Sequence, residues 1–155
     1  MSLEHRVAAL EAKFQISDLK AEYAGLCDLG YDGDAIAALF TEEGSWASNT
    51  YPEVHGREEI SRFMREIGES VFPWAVHLLA NPRIVVSDDG STATGRWDLL
   101  QLATSEDDSV VALGRYRDEF RFSAGRWWFS AVRVDFSYVG NLANGWGIGS
   151  DGFLE

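Results

Sequence analysis

The sequence predicts an α+β fold in which N-terminal helices pack on a strongly curved, mixed or antiparallel sheet, forming a cone with an apolar pocket. Two observations carry this expectation. Apolar residues recur at helical spacing through roughly the first 70 positions, and from Trp74 onward the chain turns to long β-branched and aromatic runs. Helices first and strands afterwards is the order of a segregated fold, not of an alternating α/β sheet.

Ser2 is a candidate N-cap for a first helix that runs to about Leu29. Leu3, Val7, Leu10 and Phe14 form one apolar stripe along it, continued after a small phase shift by Ile16, Leu19, Tyr23 and Leu26. Gly30 and Gly33 break the pattern, Asp32 or Asp34 can cap the next helix, and AIAALF carries that helix to Phe40. Gly44–Tyr51 is a candidate short strand. A third helix is expected around Gly56–Gly68, where Ile60, Phe63, Met64 and Ile67 share a face.

Four strands should follow: WAVHLLANPRIVVS, STATGRWDLLQLAT, SVVALGRYRDEFRFS and GRWWFSAVRVDFSYV, separated by the turn chemistry of DDG, SEDD and SAG. In GRYRDEF, Arg115, Arg117 and Glu119 alternate with Tyr116, Asp118 and Phe120. That gives a polar outer face and an inner one on which Asp118 needs a partner. On the last strand Arg133 shares parity with Trp127, Phe129 and Asp135, which suggests an Arg133–Asp135 pair on a solvated or interface face. The expected organisation is one domain over residues 1–139 and a Gly-rich tail, 140–155, able to cover the pocket or a neighbouring subunit.

Composition narrows the function. The 155 residues carry 25 Asp and Glu against 13 Lys and Arg, a net charge of −12 that repels phosphate backbones and anionic membranes. A single cysteine, Cys27, excludes an internal disulfide and a Cys-rich zinc site. No apolar run approaches the ~20 residues of a membrane span, and no signal peptide is evident, so a cytoplasmic protein is expected. Six Trp, nine Phe and five Tyr suit a thick core or the wall of an apolar pocket.

Three histidines are available. His5 sits among charged residues in the first helical turn, and His55 at a helix start reads as a turn residue. His77 lies within an apolar strand, where an imidazole must find a hydrogen-bond partner or leave a buried polar group unpaired at a cost of about 1–3 kcal/mol. Asp28 is unusual in another way: it falls at the C-terminal pole of the first helix, where the macrodipole disfavours a carboxylate. Paired, the two have a clear logic. The carboxylate would hold the proton of one ring nitrogen and leave the other free as a general base. Spacing alone does not bring them together. One inward His and one Asp are too few ligands for a tight metal site, and no Gly-rich phosphate loop follows a strand.

Several strings together carry a resemblance to a known family. They are the helix ending in YAGLCD, DAIAALFTEEG from Asp34 to Gly44, the HGREEI turn, His77 five residues before Pro82, and TATGRW, GRYRDEF and GRWWFSAVRV. In this order they resemble the SnoaL-like branch of the nuclear-transport-factor-2-like (cystatin-like cone) superfamily over about residues 5–138, and within it the dehydratase and dehydrochlorinase enzymes. The resemblance implies that Asp28 and His77 meet inside the cone as a catalytic dyad, with Tyr23 as a pocket donor to a substrate carbonyl or hydroxyl. It implies cofactor-free lyase or isomerase chemistry on a small apolar, aromatic or alicyclic ligand, and a homo-oligomer, trimer before dimer. Trp46, Trp74, Trp97, Tyr116 and Phe136 are the candidate pocket wall. Two rivals stand beside a dehydratase-like lyase: proton transfer of the ketosteroid isomerase type, and a non-catalytic ligand-binding or assembly module like the accessory subunit of a ring-hydroxylating dioxygenase.

Overall fold

A computed structural model describes residues 2–106 and 108–141. Helix α1 (Leu3–Asp28) starts as expected, with the Ser2 hydroxyl accepting from the His5 amide at 3.2 Å. Its buried row is Ala12, Ile16, Leu19, Lys20, Tyr23, Ala24 and Cys27. The first half of the apolar stripe behaves differently: Leu3, Val7, Leu10 and Phe14 are all exposed. They lie on the far side of the helix, because the phase shift between the two halves of the stripe is a change of face.

Asp32 caps α2 (Gly33–Ala37), its carboxylate accepting from the Ala35 amide at 3.1 Å. The helix stops three residues short of the expected Phe40. There the sheet competes for the backbone: the Leu39 carbonyl accepts from the Phe129 amide at 3.0 Å, and the fully buried Phe40 opens strand β1 (Phe40–Ser48) opposite Phe129. The candidate strand Gly44–Tyr51 therefore begins and ends earlier than its sequence suggests. A two-residue strand β2 (Val54–His55) leads into α3 (Gly56–Glu66), which is followed by a π-helical turn over Ile67–Val71.

Strands β3 (Trp74–Val86), β4 (Thr92–Ser105), β5 (Asp108–Ser123) and β6 (Arg126–Asn141) follow the predicted segments closely and form an antiparallel meander. Strand β1 joins β6 in parallel, so the six-stranded sheet is mixed, in the order β2-β1-β6-β5-β4-β3. Among the described residues it is curled but not closed, and the helices pack against it. The Gly-rich tail beyond Asn141 lies outside the described residues.

A bulge corrects one expectation. On β6 the buried residues are Trp127 and Phe129 and then Val132 and Val134, because the register with β5 slips between Glu119 and Phe120. Parity therefore reverses at Ser130, and Arg133 does not share a face with Trp127. It is exposed, and its Nη2 lies 2.8 Å from Asp135 Oδ1; Arg117 Nη1 is 2.9 Å from the same carboxylate.

Asp118, on the inner face of β5, finds Lys20 of α1: Nζ is 2.7 Å from Oδ2, with both side chains almost fully buried. The ammonium also sits 3.3 Å from the centroid of the Tyr116 ring and 4.6 Å from that of Tyr23. Burial lowers the Lys20 pKa, opposed by Asp118, and pushes the Asp118 carboxyl up to about 6, opposed by Lys20.

Candidate active site

The stretch from the end of α1 into α2 contains three acids with three different fates. Asp32 caps α2. Asp34 accepts from the Ser61 hydroxyl at 2.7 Å and pairs with Arg65, tying α2 to α3; these bonds hold its carboxyl below the usual range. Asp28, the last residue of α1, turns toward β3. The chain reverses just beyond it through Gly30 (φ 101°) and Tyr31 (φ 57°), with the Tyr31 amide donating back to the carbonyls of Leu26 and Cys27 at 3.1 and 3.2 Å. This turn folds Tyr31 under the helix end and into the core.

Asp28 Oδ1 accepts twice from one residue: from the His77 amide at 2.9 Å and from His77 Nδ1 at 2.7 Å. The amide contact fixes where the carboxylate sits, and the ring contact fixes the tautomer. An ionised carboxylate only accepts, so in the neutral imidazole the proton sits on Nδ1 and Nε2 keeps its lone pair. The imidazole is 5% exposed and the carboxylate 28%, so the pair is shielded on the histidine side and open to water on the other.

Nε2 faces Tyr31 Oη at 3.4 Å, and Gln101 Nε2 stands 3.5 Å from the same hydroxyl. Both contacts are long for hydrogen bonds. Across the hollow, Tyr23 Oη accepts from Trp46 Nε1 at 2.9 Å. Burial pushes the pKa of Tyr23, Tyr31 and Tyr116 far up, so all three are neutral phenols. Burial also pushes the Cys27 thiol up to about 12, which removes it as a thiolate nucleophile.

Tyr23, Tyr31, Trp46, His77, Tyr116 and Phe136 line a hollow of about 30 Å³. That is room for a water or two and no more. Of the candidate wall residues, Trp46, Tyr116 and Phe136 line it. Trp74 and Trp97 do not: Trp74, at the start of β3, is half exposed on the outer side of the sheet. Trp97 is buried deeper in the core, its ring edge-on to Phe120. Single tryptophans in strands give no sign of which face they take until the register is known.

Two of the hollow residues that the sequence reading missed, Tyr31 and Gln101, stand next to His77. Tyr31 carries no signal, because nothing in DLGYDGD says that a bulky residue follows Gly30 into positive φ. Gln101 did carry one. It is a polar residue at the inward phase of β4, between Leu99 and Ala103, and it is buried and paired opposite His77. The other two histidines stand apart: His5 Nε2 lies 3.0 Å from the Asp88 carbonyl, and His55 is exposed. A larger open groove of about 290 Å³ lies between the first turns of α1 and the β3–β4 turn, where His5 meets that backbone carbonyl and not a carboxylate. Among the described residues, no three His, Cys, Asp or Glu side chains come together as a metal-ligand group. No described helix is long and apolar enough to cross a membrane.

Helices packed on a curled, mixed six-stranded sheet make this a nuclear-transport-factor-2-like, cystatin-like fold. The chain belongs to the SnoaL-like domain family, whose profile matches residues 8–133. Among solved structures it is similar to a hexachlorocyclohexane dehydrochlorinase, LinA-type3 of Novosphingobium barchaimii, with a TM-score of 0.79 and 21% identity over 92% of this chain and 95% of that one. It is similar to a candidate scytalone dehydratase of Novosphingobium aromaticivorans (TM-score 0.75, 20% identity, 90% and 91% covered). A candidate aromatic ring hydroxylase of the same species is also similar (TM-score 0.78, 24% identity, 87% and 96% covered). At these identities the likeness is one of fold. No curated protein matches the chain significantly in sequence.

Proposed function

We propose that this protein is a cofactor-independent lyase of the dehydratase or dehydrochlorinase type, acting on a small, largely apolar cyclic substrate. One observation carries the reading: the 2.7 Å contact between Asp28 Oδ1 and His77 Nδ1, which leaves Nε2 as an unprotonated base turned into an aromatic hollow. His77 Nε2 takes a proton from a carbon next to a carbonyl or beside the carbon bearing the leaving group. The C–H electron pair becomes the new double bond as hydroxide or chloride departs, so the net loss is water or HCl. Asp28 orients the ring and stabilises the imidazolium. Tyr23, neutral and itself receiving the Trp46 N–H, donates to the developing oxyanion; a donor of this kind is worth about 2.7–4 kcal/mol where one has been removed elsewhere. Such a substrate is far larger than a water, so side chains around the hollow must give way on binding.

The test uses two probes, γ-hexachlorocyclohexane followed by chloride release and 3-hydroxycyclohexanone followed by enone absorbance. Turnover of either is expected to fall by about 10²–10⁴ in His77→Ala, and by a comparable factor in Asp28→Asn, which keeps the shape but not the acceptor. Wild-type rates in both variants would sink the dyad. If Asp28→Ala abolishes turnover while His77→Ala only slows it, an isomerase in which the acid is the base is favoured over the lyase.

The smallness of the hollow favours a second reading, a non-catalytic assembly module. On that reading neither probe is turned over, and neither perturbs the NMR signals of the His77 ring.

A further inference from the structure

We propose that the N-terminal half of α1 is a self-association surface that pairs with α1 of a second copy of this chain as a short parallel coiled coil. Leu3, Val7, Leu10 and Phe14 are 71%, 44%, 57% and 72% exposed. On a helix of 3.6 residues per turn they lie roughly 180° around from the buried row of Ile16, Leu19 and Tyr23. An apolar stripe directly opposite the face that packs on the sheet lets two copies meet helix to helix with their sheets pointing away from each other.

The spacing is that of a coiled-coil seam. Steps of four, three and four residues separate the stripe members, which places Leu3 and Leu10 at d and Val7 and Phe14 at a. Val7 at a, with leucine at both d positions, matches the preference for two strands. The seam ends there, because the next two seam positions are Ser17 and Ala21.

Charge selects the occupant and its direction. In this register Arg6 and Lys13 occupy g, while Glu4, Glu11 and Asp18 occupy e. In a parallel pair each g residue faces the e residue five positions later on the other helix. Arg6 then meets the second copy's Glu11, and Lys13 meets its Asp18, with both pairs repeated by symmetry. An antiparallel pair would set cations against cations and acids against acids. Within the chain, Arg6, Glu11, Lys13 and Asp18 are all exposed, and among the described residues none of them makes an ion pair. Two heptads are too short to hold isolated peptides together, but this helix is already ordered by its packing on the sheet and needs no nucleation on association.

The experiment is sedimentation velocity of the full chain over a concentration series, with circular dichroism to establish that each variant is folded. Leu10→Glu should halve the mass of the assembled species. Arg6→Glu/Lys13→Glu should do the same, and mixing it with Glu11→Lys/Asp18→Lys should restore the larger species. Val7→Cys, a seam position facing its own symmetry mate, should give a covalent dimer on mild oxidation, as a parallel in-register pair requires. A wild-type chain that stays monomeric overturns the proposal. So does an assembly unchanged by Leu10→Glu, which would put association elsewhere, for example on the outer sheet face where Trp74, Leu78 and Leu102 are exposed.

Discussion

At the scale of single residues, two buried polar pairs do different work. The Asp28–His77 pair is half open and borders a hollow; the Lys20–Asp118 pair is sealed. Removing one partner of a sealed pair strands a charge in the core. Lys20→Met is therefore expected to cost about 3–5 kcal/mol, whereas Lys20→Met/Asp118→Leu should recover most of that loss. Urea unfolding of the two variants and the wild type measures both. Equal loss in the single and double variants would mean that the pair contributes through packing and not through charge. The outward-facing Asp28 oxygen has no such constraint, which fits a group that must accommodate charge appearing on its neighbour.

Secondary elements are placed by contacts that local propensity does not express. Helix α2 is only five residues long and is held by its cap, by the Asp34–Arg65 clasp and by close approach to α3. At Gly33 an added Cβ would collide with the Ser61 carbonyl, a backbone atom that cannot swing aside. Gly33→Ala is expected to destabilise by about 1–3 kcal/mol, read as a lower thermal midpoint; a neutral change would mean that α2 can move away from α3. The bulge at Ser130 acts on β6 in a comparable way: one extra residue keeps Trp127 and Phe129, and then Val132 and Val134, on the inner face while the sheet curls.

For the molecule as a whole, pH dependence follows from the sealed pair. The Asp118 carboxyl is pushed up to about 6 in the fold from an ordinary 3.8. The folded state therefore takes up this proton before the unfolded chain does as pH falls. The stability it contributes is complete below about 3.8 and is lost as pH rises through about 6. Denaturant midpoints between these values should show that downward component in the wild type, and Asp118→Asn should remove it. An unchanged profile in the variant would mean that Asp118 stays charged throughout.

Four long strands, the Ser2 cap, a cap at Asp32 or Asp34 and the α+β order were legible in the sequence, because periodicity and capping act over a few residues. So was the suspicion attached to Asp28 and to Asp118, since a carboxylate at the negative pole of a helix or on an apolar strand face is out of place by local rules alone. What the sequence could not decide was which groups meet. Lys20 as the partner of Asp118, Tyr31 beside His77, the outward turn of Leu3 to Phe14 and the exclusion of Trp74 and Trp97 from the hollow all depend on register, bulges and the closing of α1 on the sheet. These are long-range matters, set by how the curled sheet and the helix share one core, and no stretch of chain carries them by itself.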